Sequence, residues 1–283
     1  MSKTTMRPIS KAKDLTKKSA IYLLLFVAAF FYLFPIYTAV NTSLKSNEEL
    51  AYGPVNIVRN PEFANYLKAF SEIDRPIWNS FVITMVATAI SSALGAWGGF
   101  GYSKLKFRGS SVLFLILVLG FYIAPQSILI PLLRFIGSIG LYNSYWGLIL
   151  THTAYGVPIT TLLFRNYFES LPTEVVDSAR IDGCSYIGTF FRIALPLSLP
   201  GFAVVAIFQF TNIWNEFLFG LILTRGVNSQ PLTVAIGNLK GTTVASWNIQ
   251  MAGVMISVLP VLLVYVFFLK LIVKGLLMGS VKG

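Results

Sequence analysis

This chain of 283 residues contains one cysteine, Cys184, and one histidine, His152. It can close no internal disulfide and offers no cluster for zinc or a redox metal. Charge is scarce too, at 12% of residues against about 25% in an ordinary soluble domain. So few charges cannot cover a water-soluble fold of this size. No Gly-x-x-x-x-Gly-Lys-Ser/Thr run occurs, so the chain cannot hydrolyse ATP by the usual P-loop route. The acids are scattered singly or confined to connectors, which leaves no paired carboxylates for an intramembrane enzyme.

What is present is apolar: 55% of the residues, much of it in charge-free runs long enough to cross a bilayer, which needs about 20 helical residues. Six runs qualify, at Ala20 to Val40, Asn79 to Ser103, Ser111 to Leu133, Tyr145 to Phe164, Leu197 to Thr224 and Met251 to Leu269. Only the fifth holds a charge, Glu216. Backbone facing lipid must satisfy itself, and period-two alternation is missing, so helices rather than a barrel are expected. The class is all-α and polytopic, with six transmembrane helices. The first run is too long, and too rich in large aromatics, for a signal peptide.

Fifteen of the 22 Lys and Arg residues fall in the N-terminal tail, the connectors after spans two and four, and the C-terminal end, and seven fall on the other side. The positive-inside rule then places both termini in the cytoplasm. That placement absorbs most of the net charge of +11, and nucleic acid is not expected as a partner. The domain plan is a cytoplasmic tail over 1–19, a first helix over 20–40 and an extracytoplasmic loop over 41–78. A five-helix core over 79–273 and a tail over 274–283 complete it. The connector around Arg134 to Ser144 reads as a turn with a short interfacial helix. The polar Arg225 to Gln250 reads either as a flexible connector or as a probe that contacts something outside.

The connector from Arg165 to Pro196 is far longer than two neighbouring helices need. After Pro172, the apolar Val175, Val176, Ala179 and Ile181 interleave with Glu174, Asp177, Arg180 and Asp182, the pattern of a short amphipathic helix. Gly183 stands where that helix would stop, and an apolar stretch from Tyr186 leads to Pro196. A helix, a sharp turn and a second helix form a knob that a soluble partner could grip.

These residues resemble the integral membrane subunits of binding-protein-dependent ABC importers, whose hallmark is a Glu-Ala-Ala run, a following Gly, and an Ile or Leu and Pro at the end. Here the positions are Asp177, Ser178 and Ala179, then Gly183, then Ile193, Leu195 and Pro196, with Asp and Ser replacing the first two family residues. Further segments resemble the carbohydrate-uptake branch, particularly the maltose-permease-type smaller subunit. They are Thr42 to Lys45, Gly140 to Ser144, Trp214 to Phe217 and Val281-Lys282-Gly283. The resemblance implies a type I ABC importer permease fold and an assembly with a homologous second permease, two cytoplasmic ATPase subunits and an extracytoplasmic sugar-binding protein. It implies ATP and Mg on the ATPase subunits and no cofactor on this chain. It also implies that the 172–196 loop couples to the ATPase, through Glu174, Asp177, Ser178, Ala179, Arg180, Asp182, Gly183, Ile193 and Pro196. In that contact Ser178 and Ala179 would permit close approach. By analogy, Val281, Lys282 and Gly283 touch the ATPase dimer.

Glu216, with Asn212 and Asn215, could line the translocation path, or it could lie near the outer interface and pack against Arg225 or a partner subunit. His152 reads first as a packing residue and second as a member of that path. Gly95, Gly98, Gly99 and Gly101 form a small-residue packing face rather than a dinucleotide loop, since no strand precedes them. A secondary carrier would be expected to show internal repeats or interrupted helices with embedded charges, and would not need the knob. A permease for another small solute is the nearer alternative to a sugar permease.

Overall fold

The computed structural model describes residues 8–105, 107–239 and 246–280, with side chains over 17–105, 107–239 and 246–269. The C-terminal segment Val281, Lys282 and Gly283 lies outside the described residues. Helices account for nearly all of the regular structure, in the order α1 (Pro8–Ser43), α2 (Asn47–Ala51), α3 (Ala64–Lys104), α4 (Ser110–Leu119), α5 (Pro125–Ser138) and α6 (Tyr145–Glu169). Then come α7 (Thr173–Ile181), α8 (Tyr186–Thr189), a π-helical turn over Phe190–Ala194, α9 (Leu195–Leu197) and α10 (Leu199–Trp214). The chain continues through α11 (Leu218–Leu223), α12 (Leu232–Asn238) and α13 (Trp247–Ser280). There is no strand among the described residues. Among the described residues, four helices are long and apolar enough to cross a bilayer, or six if each of two bent pairs counts as one span.

The bends are the first departure from the sequence reading. The expected third span is two helices, Ser110–Tyr122 and Pro125–Ser138, meeting at 96°. Pro125 has no N–H to continue the ladder and drives Ala124 to an extended ψ of 127°, so the run breaks there although it is apolar throughout. Helix α5 thereby fills the start of the expected 134–144 turn. The connector expected over 41–78 is also largely helical, because α1 runs to Ser43 and α3 begins at Ala64. Lys68, Glu72, Asp74 and Arg75 ride on α3; a search for charge-free runs detects only the part of a helix that lies in lipid.

What remains of that connector is tied tightly. Asn65 Nδ2 donates to the carbonyls of Ser43 at 3.0 Å and Lys45 at 2.9 Å, and Asn248 Nδ2 donates to Lys45 at 3.0 Å. Lys45, only 1% exposed, donates from Nζ to the carbonyls of Gly53 at 2.9 Å and Pro54 at 3.1 Å. The Thr42 to Lys45 segment is therefore a knot joining α1, α3 and α13.

The centre of the fold is the α3–α6 pair, and small residues on α3 make it possible. A Cβ on Gly95 would stand 2.3 Å from Thr160 Oγ1, and one on Gly99 would stand 2.6 Å from the Arg165 backbone nitrogen. The expected small-residue packing face is what the structure contains. Gly101 meets nothing nearer than 4.0 Å. Gly99→Ala is expected to destabilise the protein by about 1–3 kcal/mol through overpacking, while Gly101→Ala is neutral or better. Thermal unfolding of the two variants in detergent checks this, and equal melting would show that the close approach is not required.

Candidate functional site

The knob forms as its residues dictate. Helix α7 ends in a left-handed residue, Gly183 at φ +84°. Around it the Gly183 N–H donates to the Arg180 carbonyl at 3.1 Å and the Cys184 N–H to the Ala179 carbonyl at 2.9 Å. That pair of bonds is the Schellman closure, which satisfies the last carbonyls of α7. Ser185 caps α8 by accepting from the Gly188 N–H at 3.1 Å. The Arg180 guanidinium lies 4.4 Å from the Tyr186 ring centroid and clamps the two helices together.

The face of α7 turned inward is narrower than its composition suggested. Val176 and Ala179, three residues apart, are buried, while Val175 is 38% and Ile181 86% exposed. The expectation that Ala179 permits a close approach by a partner is corrected: at 4% exposure it packs inward, and Ser178 is the small residue left on the open face. Glu174, Asp177, Arg180, Asp182 and Gly183 are all exposed, Ile193 is half-buried and Pro196 exposed. Ile181 and Ile187, which no motif in the sequence marks, are both exposed. Counting the helical register from Val176 would have found Ile181, because five residues turn it well away from the buried side.

The knob is bolted to the spans. Val176 joins a cluster with Phe100, Phe164, Phe168, Phe190 and Val205. Ring centroids lie 5.4 Å apart for Phe100 and Phe190 and 5.6 Å for Phe100 and Phe168. Lys104, at the end of α3, donates from Nζ to the Leu171 carbonyl at 2.8 Å. Beyond Phe190 the Leu195 N–H reaches back five residues to the Phe190 carbonyl, and Tyr186–Leu197 then meets Leu199–Trp214 at 75°. The knob is therefore packed directly against α3, α6 and α10.

At the other end of α10 the fifth span is interrupted, which corrects the reading of Glu216 as a residue inside a continuous apolar helix. Asn215 to Phe217 separate α10 from α11, and Glu216 occupies the gap because its carboxylate replaces lost helix acceptors. Oε1 accepts from the Phe219 N–H at 2.8 Å and Oε2 from the Gly220 N–H at 3.4 Å. His152 Nε2 stands 3.9 Å from Oε2, and its ring packs edge-on to Phe219 with centroids 5.8 Å apart. His152 is buried, whereas Asn212 and Asn215 are exposed. Of the four candidate path residues, the structure brings Glu216 and His152 together and leaves the two amides on the open side.

The segment after α11 is folded over residues 225–239, not a slack connector. Asn79 Nδ2 donates to the carbonyls of Val227, Asn228 and Gln230 at 3.1–3.2 Å. Ser80 Oγ accepts from the Leu232 N–H at 2.7 Å. Asn143, left-handed at φ +58°, accepts from the Arg225 N–H at 2.6 Å and from Ser229 Oγ at 2.5 Å. Arg225 thus meets Asn143 through its backbone, with its guanidinium 6.0 Å from the Tyr142 ring centroid. Residues 240–245 of this segment lie outside the described residues.

The family described as the inner membrane component of binding-protein-dependent transport systems matches residues 91–277. A probable ABC transporter permease protein of Pyrococcus horikoshii is 47% identical over 280 residues, covering 98% of this chain and 100% of that protein. A xylose/arabinose import permease protein of Haloferax volcanii is 31% identical and covers 92% of each chain. Among solved structures, a chain of a bacterial ABC transporter involved in import of the acidic polysaccharide alginate superposes with a TM-score of 0.73 at 22% identity, covering 94% of this chain and 99% of that one.

Proposed function

Because the chain belongs to the family of inner membrane components of binding-protein-dependent transport systems, with the type I ABC importer permease fold, we propose that it forms half of the translocation pathway of an ATP-driven sugar importer. A homologous permease subunit supplies the other half. Two ATPase subunits, which carry ATP and Mg, grip the knob, and an extracytoplasmic binding protein delivers the sugar. Both termini lie in the cytoplasm, on the side of the knob. Sugar is favoured over other solutes by relatives such as the xylose/arabinose permease, an arabinooligosaccharide permease of Bacillus subtilis and an alpha-glucoside permease of Rhizobium meliloti.

The observation that carries the coupling role is the 86% exposed Ile181 set among Glu174, Asp177 and Asp182 on a helix that is otherwise firmly anchored. An apolar side chain ringed by charge, outside the spans, is the anchor of a docking surface. Asp177 supplies a charge partner, and Ser178 permits close approach. Val281, Lys282 and Gly283 contribute a second contact to the ATPase dimer. As the ATPase subunits close, the knob moves, and the aromatic cluster carries that movement into α3, α6 and α10. Asn212 and Asn215 line the path, with Glu216 and His152 behind them.

The test is affinity purification of the tagged chain from membranes that co-express its genomic neighbours, with mass spectrometry of what stays bound. An ATPase and a second permease are expected; recovery of the chain alone, still active in transport, would point to a secondary carrier. Ile181→Glu should cut the ATPase recovered by about tenfold or more, as for a central interface residue, while leaving insertion and the second permease in place.

A further inference from the structure

The gap in the fifth span is met from three directions, two of them from outside the span. Thr233, in the first turn of α12, donates from Oγ1 to the Glu216 carbonyl at 2.6 Å. The Glu216 side chain meanwhile caps α11 and faces His152 on α6. Helix α12 is itself immobilised: Leu232, Val234, Ala235 and Ile236 are buried, and the Leu232 N–H is held by Ser80. Pro231 presses on Gly220 so closely that a Cβ there would stand 2.4 Å from its ring. The tip of the same segment, Arg225 to Asn228, is exposed, while its carbonyls are gripped by Asn79. Tip, α12 and gap thus form one strut, and rigid elements with discrete contacts are what transmit a displacement between distant sites.

We propose that the Thr233 hydrogen bond to Glu216 is the joint through which the segment from Arg225 to Asn238 sets the gap in the fifth span, so that Thr233 is a positioning residue linking binding-protein docking to ATP hydrolysis. The proposal rests on the importer reading above. Load on the exposed tip passes along α12, and Thr233 is the side chain that hands it to the backbone between α10 and α11. The Glu216 carboxylate, bonded to α11 and close to His152, then turns the two halves of the span together. Thr233 lies in α12, outside the knob, and its side chain bonds a backbone carbonyl rather than a candidate path side chain.

The experiment uses the full complex in lipid nanodiscs, with the binding protein of the same system purified with its natural ligand bound. Thr233→Val keeps the shape and removes the donor; Thr233→Ser keeps the donor. In Thr233→Val the ratio of binding-protein-stimulated to basal ATP hydrolysis should fall about fivefold or more, the scale of a coupling free energy between sites. Basal hydrolysis and subunit recovery should stay at wild-type values, and Thr233→Ser should restore the ratio. A wild-type ratio in Thr233→Val would overturn the joint. So would a loss of basal hydrolysis and subunit recovery in that variant, since it would mark a purely structural contact. If the wild-type complex shows no stimulation by the binding protein, the importer reading fails, and the joint fails with it.

Discussion

Replacing Gly183 with valine should leave the protein inserted and folded yet strip it of its ATPase. The residue sits at φ +84°, where an L side chain costs about 1–2 kcal/mol, and a β-branched one is strained further. Nothing lies within 4 Å of where its Cβ would stand, so the substitution creates no clash and acts through the backbone alone. Relief of that strain opens the Schellman closure, frees the Ala179 and Arg180 carbonyls, and swings α7 relative to α8. Ile181, Asp177 and Asp182 then no longer present one surface. Each 1.4 kcal/mol lost from the contact is a factor of about ten in affinity, so co-purified ATPase should fall at least about that far, and uptake with it. Asn tolerates the left-handed region, so Gly183→Asn should retain more of both. Wild-type ATPase recovery and uptake in Gly183→Val would sink the coupling assignment.

Asn79→Leu should be the most destabilising single change at the opposite end. Asn79 is 3% exposed, and its amide serves three carbonyls. An orphaned buried acceptor costs about 1–3 kcal/mol, and losing this grip also releases the 225–231 segment from α3. Melting in detergent should drop by several degrees, and uptake should be lost. Asn79→Asp is the sharper variant. It preserves size but turns an acceptor toward three acceptors, so it should be at least as damaging as leucine. An aspartate variant as stable as wild type would mean that the clamp does not hold the segment.

Several features of the site were legible in the sequence. The knob was readable from its length, its capping glycine and the interleaving of acids with apolar residues, and the α3 glycines were readable as a packing face. The internal geometry of the knob was only partly so. Val175, Val176, Ala179 and Ile181 look alike in composition, and which pair turns inward depended on the register of α7 against Phe100, Phe168 and Phe190. Asn79 was readable only as the first residue of a span, because its three acceptors lie about 150 positions away.

The class, the charge-free runs and the turn at Gly183 follow from the order of the residues alone. These are local properties: hydropathy over a length set by the bilayer, and a backbone angle that only glycine adopts cheaply. The tertiary structure alone decided that Glu216 fills a gap rather than a helix, that His152 backs it, and that α12 is strapped to both α3 and the gap. Such contacts join residues far apart in the chain. A polar side chain in an apolar run shows that it needs a partner, and only the packing of the helices shows which one it has.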